Sequence, residues 1–190
     1  MTTDIPYATV IKASWRIAEM QGLDGLTPEI IAAEASTDAQ RLRQIFPTRS
    51  HILLSLMHDV FENLAATVVG EHPRDNLFDL IMAHFDGLQN HRPAVVRLYN
   101  DITTLRHLDL LVRLRKPYWQ QASAVLTTAG VPTDDLLGFG KVSMVALLGL
   151  WLLTVWVSDE SDDLAKTMAA LDQGLHRLGD INNMVSGLGC

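Results

Sequence analysis

Residues 27–53, TPEIIAAEASTDAQRLRQIFPTRSHIL, narrow the folding options of this chain more than any other stretch. Thr27 is placed to cap a helix whose first turn holds Pro28, where a missing N–H costs nothing. Ile30, Ile31 and Ala35 follow as an inward stripe at helical spacing. Asp38 is placed to cap a second helix, with Leu42, Ile45 and Phe46 inward at i, i+3 and i+4. That leaves Gln40, Arg41, Arg43 and Gln44 mostly outward, and a third helix opens after Pro47. Two short helices joined by a tight turn, the second with Arg and Gln outside, are the ingredients of a helix-turn-helix. Such an arrangement meets DNA.

The rest of the chain is punctuated as helices. An amphipathic run over 6–21 ends at Gly22, and a longer one over 48–69 ends near Gly70. Pro73 opens a helix that stops around Asn90, and Pro93 opens the next, to about Leu105. Residues 107–129 continue as helix, with a kink expected near Pro117 and a stop at Gly130. Two long helices close the chain, 134–157 and 160–178, split by the polar SDESDD run. No segment alternates as a strand does. The expected fold is all-α with about nine helices.

Composition bounds the function. A chain of 190 residues with 48% hydrophobic and 19% charged residues is globular and buries a sizeable core. The lone cysteine, Cys190, excludes an intrachain disulfide and fits a reducing cytoplasm, and no signal peptide opens the sequence. A net charge of −7 argues against a surface that seeks nucleic acid everywhere, yet leaves room for one local DNA-binding face. Enzyme signatures are missing: no glycine-rich phosphate loop, no H-E-x-x-H, no G-x-S-x-G. His51 and His58, like His84 and His91, stand two helical turns apart, too far to clamp a metal unaided. Asp159, Glu160, Asp162 and Asp163 read as acids at a helix N-terminus rather than a catalytic cluster. The expectation is a protein that is not an enzyme and uses no metal or cofactor.

One helix, a helix-turn-helix, the pair Phe46-Pro47, a linker helix and an apolar helical body resemble the tetracycline-repressor (TetR) family of bacterial regulators. The family motif runs I-A-x-x-A-G-V-S-x-G-T-L-Y-x-H-F-P-S-K. Ile31, Ala32, Ala35, Leu42, Phe46 and Pro47 fall at the matching places without a gap. The C-terminal VWVSDESDDLAKTMAALDQGL resembles a stretch near the end of many such regulators. The chain departs from the pattern at Ser36 and Gln40, where glycines are usual, at Arg43 for tyrosine and at Ile45 for histidine. Residues 1–50 carry five Lys and Arg against six Asp and Glu, where phosphate contact calls for a cationic excess.

The resemblance implies a helix-turn-helix domain over 1–50, a ligand-binding and dimerisation domain over 51–180 and a flexible tail over 181–190. It implies a repressor that binds double-stranded operator DNA as a homodimer and is released by a small hydrophobic ligand. The DNA-contacting residues would be Thr27, Gln40, Arg41, Arg43, Gln44 and Arg49. The ligand pocket would draw on Phe78, Met82, Phe85, Tyr99, His107, Tyr118 and Trp119, with Leu105, Leu108 and Leu111 nearby and His84 and Arg97 as further polar contacts. Such a mostly apolar mix suits a hydrophobic compound, and also suits an ordinary helical core. The dimer interface would use Leu147, Trp151, Leu164, Met168, Leu171 and Leu175.

A second resemblance points to another class. KVSMVALLGLWLLTVWVSDESDDLAKTMAALD is similar to the C-terminal region of the lipid-binding protein that assists coenzyme Q biosynthesis, which has a TetR-like fold without repressor activity. An acidic, degraded helix-turn-helix suits that alternative, but no separate terminal amphipathic helix is present to dock on a bilayer. The run VSMVALLGLWLLTVWV over 142–157 is apolar nearly all round and falls short of the ~20 residues of a membrane span. It reads as buried on every side, one face in the core and the other against a second subunit, with no stable membrane insertion.

Overall fold

The computed structural model describes residues 7–62, 70–104, 107–135 and 137–187. Among them the chain forms nine α-helices and no strand: α1 (Tyr7–Gln21), α2 (Pro28–Glu34), α3 (Ala39–Ile45), α4 (Arg49–Glu62), α5 (Pro73–Gln89), α6 (Arg92–Thr103), α7 (Leu108–Thr128), α8 (Gly138–Val157) and α9 (Ala165–Gly187). Packing divides the chain into two compact units, one of residues 1–63 and 86–117 and the other of 64–85 and 118–190. The boundaries fall inside α5 and α7, so packing groups residues differently from a functional division at residue 50.

The first unit is built on α1. Its Val10, Ile11, Ile17 and Ala18 are buried with Leu23, Leu26, Ile31, Leu42, Phe46, Ile52 and Leu56. Helix α1 stops because Gly22 takes φ +66°, open to glycine and strained for a side chain. A Cβ there would collide with the side chains of Asp101 and Arg97 of α6. Those two helices are pinned together: the Leu23 N–H donates to the Asp101 carboxylate at 2.8 Å. Nearer the other end, Trp15 stacks on His91 with centroids 4.1 Å apart, and its Nε1 donates to Asp59 of α4 at 2.9 Å.

The second unit packs α8 on α9. Val142, Val145, Ala146, Leu148, Leu152 and Trp156 form the buried face of α8, and Leu164, Leu171 and Leu175 that of α9. Gly174 makes the approach possible, since a Cβ there would lie 2.5 Å from Leu148 Cδ1. Asn76 of α5 donates to the carbonyls of Gly70 and Ala129, tying the start of α5 to the end of α7.

Several boundaries differ from the sequence expectation. Helix α9 starts at Ala165 instead of 160 because the acidic run is spent on the turn that caps it. The buried Asp159 carboxylate accepts from Thr167 N and Oγ1, each at 2.8 Å, and from Ser161 N and Oγ. Burial pushes this acid up, but the bonds from Ser161 and Thr167 outweigh it and hold Asp159 well below the usual carboxylate range. Helix α9 then runs to Gly187, so residues 181–187 continue a helix where a tail was expected; 188–190, with Cys190, lie outside the described residues. Residues 63–69, expected to prolong α4, and Leu105 lie outside them too. Helix α7 continues through Pro117, which has no N–H to offer the Arg113 carbonyl. Helix α8, at 20 residues, is long and apolar enough to cross a membrane by length and composition. Contrary to burial on every side, its Leu147, Leu150 and Trp151 are exposed.

Candidate nucleic-acid interface and ligand region

The turn between α2 and α3 is a Schellman motif. Thr37 N–H donates to Ala32 O at 2.9 Å and Ser36 N–H to Ala33 O at 3.4 Å, around Ser36 at φ +50°. A glycine adopts that backbone freely, while serine does so at a cost. Thr27 caps α2, its hydroxyl accepting from Ile30 N at 3.4 Å, and the Asp38 carboxylate caps α3 by accepting from Arg41 N at 2.9 Å. Thr27 is thereby half-buried and occupied within its own helix.

Helix α3 buries Leu42 and leaves Gln40, Arg43 and Gln44 exposed and Arg41 half-buried. Ile45, expected inward, is 49% exposed, while Leu42 and Phe46 on either side of it supply the buried contacts of α3. The arginines are not bare. Arg43 Nε donates to Glu29 Oε1 of α2, Arg16 pairs with Glu34 at 2.9 Å, and Arg49 pairs with the Asp24 carboxylate at 3.4 Å. Bonding within α2 and to Arg43 lowers the Glu29 pKa, so the carboxylate stays charged. Three of the five cations before residue 51 thus carry an intramolecular carboxylate. The pairing of Glu29 with Arg43 is not legible in the sequence, because the two meet across a turn, 14 positions apart.

The residues expected to line one ligand pocket are divided between the units. Tyr99 and His107 belong to the first and are half-buried; Phe78, Met82, Phe85, Tyr118 and Trp119 belong to the second. There Met82 and Phe85 are buried in the core, and Phe78, Tyr118 and Trp119 are half-buried. Phe85 lies 6.2 Å from the Trp156 ring, Tyr118 Oη donates to Ala146 O at 3.0 Å, and Trp119 Nε1 donates to Ser143 Oγ at 3.3 Å. Burial pushes the Tyr118 hydroxyl up to about 12 and His84, edge-on to Phe85, down to about 4. Phe78 lines a shallow groove of about 380 Å³ with Met168, Asp163 and Asp172. Another cleft of about 350 Å³ lies in the first unit, with Ile11, Lys12, Trp15, Glu19, Asp59 and His91 in its walls.

The expected dimer residues also separate. Leu147, Trp151 and Met168 are 58%, 42% and 41% exposed, whereas Leu164, Leu171 and Leu175 are at most 5% exposed and pack inside the protomer. Those three leucines are satisfied by their own chain.

Nine helices with a capped helix-turn-helix after the first one make the fold of TetR-family transcriptional regulators. A TetR transcriptional regulator from Nitrosomonas europaea superposes with a TM-score of 0.70 over 92% of this chain and 98% of its own, at 15% identity. One from Rhodococcus sp. RHA1 gives 0.62 over 94% and 99%, at 16% identity. The multidrug binding protein EbrR, in complex with imidazole, gives 0.53 over 88% and 93%, at 22% identity. No family model matches the chain, and no curated protein does.

Proposed function

We propose that this protein is a homodimeric transcriptional repressor that binds a palindromic operator through α3 and responds to a small hydrophobic ligand. The observation that carries the reading is the capped helix-turn-helix. Asp38 and the Schellman turn fix α3 so that Gln40, Arg43 and Gln44 point away from the core. Arg41 and Arg49 add cations at its edge and at the first position of α4, where helix N–H groups also favour phosphate. Dimerisation through Leu147, Trp151 and Met168, beside exposed Leu150, would present two reading helices to successive major grooves, about 34–36 Å apart. A hydrophobic ligand is favoured because Phe78, Met82, Phe85, Tyr118 and Trp119 gather apolar surface around a few polar atoms. The likeness to a protein described as multidrug binding supports that class.

The test is a genomic-fragment selection followed by binding at two salt concentrations, with and without hydrophobic ligands. The expected result is one palindromic fragment bound at least a thousandfold above random duplex. No fragment held above the random level would overturn the repressor reading. The lipid- or isoprenoid-binding alternative, which the carboxylate-paired arginines favour, would then stand.

A further inference from the structure

We infer that Glu29 is a positioning residue for base reading, holding Arg43 by its Nε so that the terminal Nη1–Nη2 edge is kept for a guanine. The inference rests on the DNA-binding reading and names how that site selects sequence. Among the described residues the one bond of Arg43 is Nε to Glu29 Oε1. The other donors of the guanidinium, two on each terminal nitrogen, are therefore uncommitted, and the side chain is 58% exposed. A guanine presents N7 and O6 as paired acceptors in the major groove, which two terminal N–H groups match in plane. Glu29 sits in the first turn of α2, where a carboxylate is favoured, and reaches across to α3 at a position fixed by the Schellman turn. The anchor therefore joins the two helices of the helix-turn-helix through one side-chain bond.

An unanchored arginine swings to whichever phosphate is nearest, which raises affinity for every duplex alike. Anchored at Nε, Arg43 has fewer rotamers to lose on meeting a base, and the charge beside it repels phosphate oxygens. Specific binding gains and random binding loses. The same pairing explains how a head with a slight acidic excess can still read sequence, since it depends on edge contacts more than on bulk charge.

The experiment measures full-length wild type, Glu29→Ala, Glu29→Gln and the charge control Glu19→Gln. Glu19 is an exposed acid of α1. Ligands are the selected operator, its single G·C→A·T variants and a random duplex, at two salt concentrations. Glu29→Ala is expected to weaken operator binding about two- to fivefold and to strengthen random binding by a similar factor, the upper part of the range of an exposed ion pair. Its salt slope on random duplex should steepen by about one phosphate contact. Base preference should flatten at the guanine that Arg43→Ala also affects. Glu29→Gln, which keeps the acceptor oxygen, should fall between. If Glu29→Ala shifts operator and random duplex by one common factor, as Glu19→Gln should, the effect is net charge and the inference fails while the DNA reading stands. Wild type that binds no duplex selectively overturns both. Equal melting temperatures would show that the variants are folded.

Discussion

Residues 1–63 with 86–117 carry eleven Lys and Arg against eleven Asp and Glu, whereas 64–85 with 118–190 carry four against eleven. The whole net charge of −7 therefore belongs to the second unit. The first unit balances its charges on the surface, pairing Arg16, Arg43 and Arg49 with carboxylates. The second pairs Arg74 with Asp172 and Lys141 with Asp135, spends Asp159 on a buried helix cap and exposes Leu147, Leu150 and Trp151 along α8. Exposed pairs of the first kind are worth ~0.2–1 kcal/mol each. A bare apolar face gains only when water leaves it, which calls for another apolar surface. Under the proposed function the first unit meets a polyanion and the second a protein like itself.

The largest effect that could break this comparison lies in α9. Leu171→Ala should cost about 2–5 kcal/mol, because Leu171 is fully buried within the protomer. Trp151→Glu should leave protomer stability within about 0.5 kcal/mol yet abolish the dimer. Urea denaturation and sedimentation velocity separate the two. A Trp151→Glu chain that sediments unchanged would remove the assembly role of α8.

Next in size comes the acid response of the second unit. Asp159→Asn should cost about 1–3 kcal/mol, since a buried acceptor loses charge-assisted bonds. With its folded pKa lowered, Asp159 contributes stability above its ordinary value of about 3.8, lost as pH falls through the folded value. His84, at about 4 against 6.5, contributes fully above pH 6.5 and loses its contribution as pH falls from 6.5 to 4. Melting followed from pH 7 to 3 should therefore decline in two stages, and His84→Leu should flatten the first.

Arg43→Ala sharpens the other side. If the arginine meets a guanine it should cost about 1–3 kcal/mol of operator affinity and relax one position. A loss common to all duplexes, with a shallower salt slope, would mean a phosphate contact instead. The smallest change is Ser36→Gly, which should stabilise the first unit by about 0.5–1 kcal/mol by relieving the left-handed backbone. Thermal melting detects a shift of that size.

The elements legible in the sequence were those set by local chemistry. Thr27, Asp38, Gly22 and Pro73 each mark a helix end within a few residues, and the structure places ends there. What stayed hidden depends on partners distant in sequence. Leu164, Met168, Leu171, Leu175 and Leu178 recur at a spacing suited to helix packing, but periodicity does not say which of them face α8 and which, like Met168, stay exposed. Glu29 beside Arg43 required the turn geometry, and the spread of the pocket residues over two units required the packing. Ile45 was misplaced because spacing alone does not say which of two adjacent apolar residues, Ile45 and Phe46, turns inward; the buried one is Phe46.

Helix α6 covers α1 through the Leu23–Asp101 bond and the Gly22 contact, and the Trp15–His91 stack joins α1 to the turn before it. Anyone building a chimeric regulator by exchanging reading heads would be tempted to splice at residue 50. Such a graft would strip the cover from one side of α1 and leave Asp101 with no backbone amide to accept from. A transplant that carries residues 86–117 along with 1–63 keeps its own lining, at the expense of two joints placed within helices. The portable piece of this protein is discontinuous in sequence, and its splice sites lie in α5 and α7.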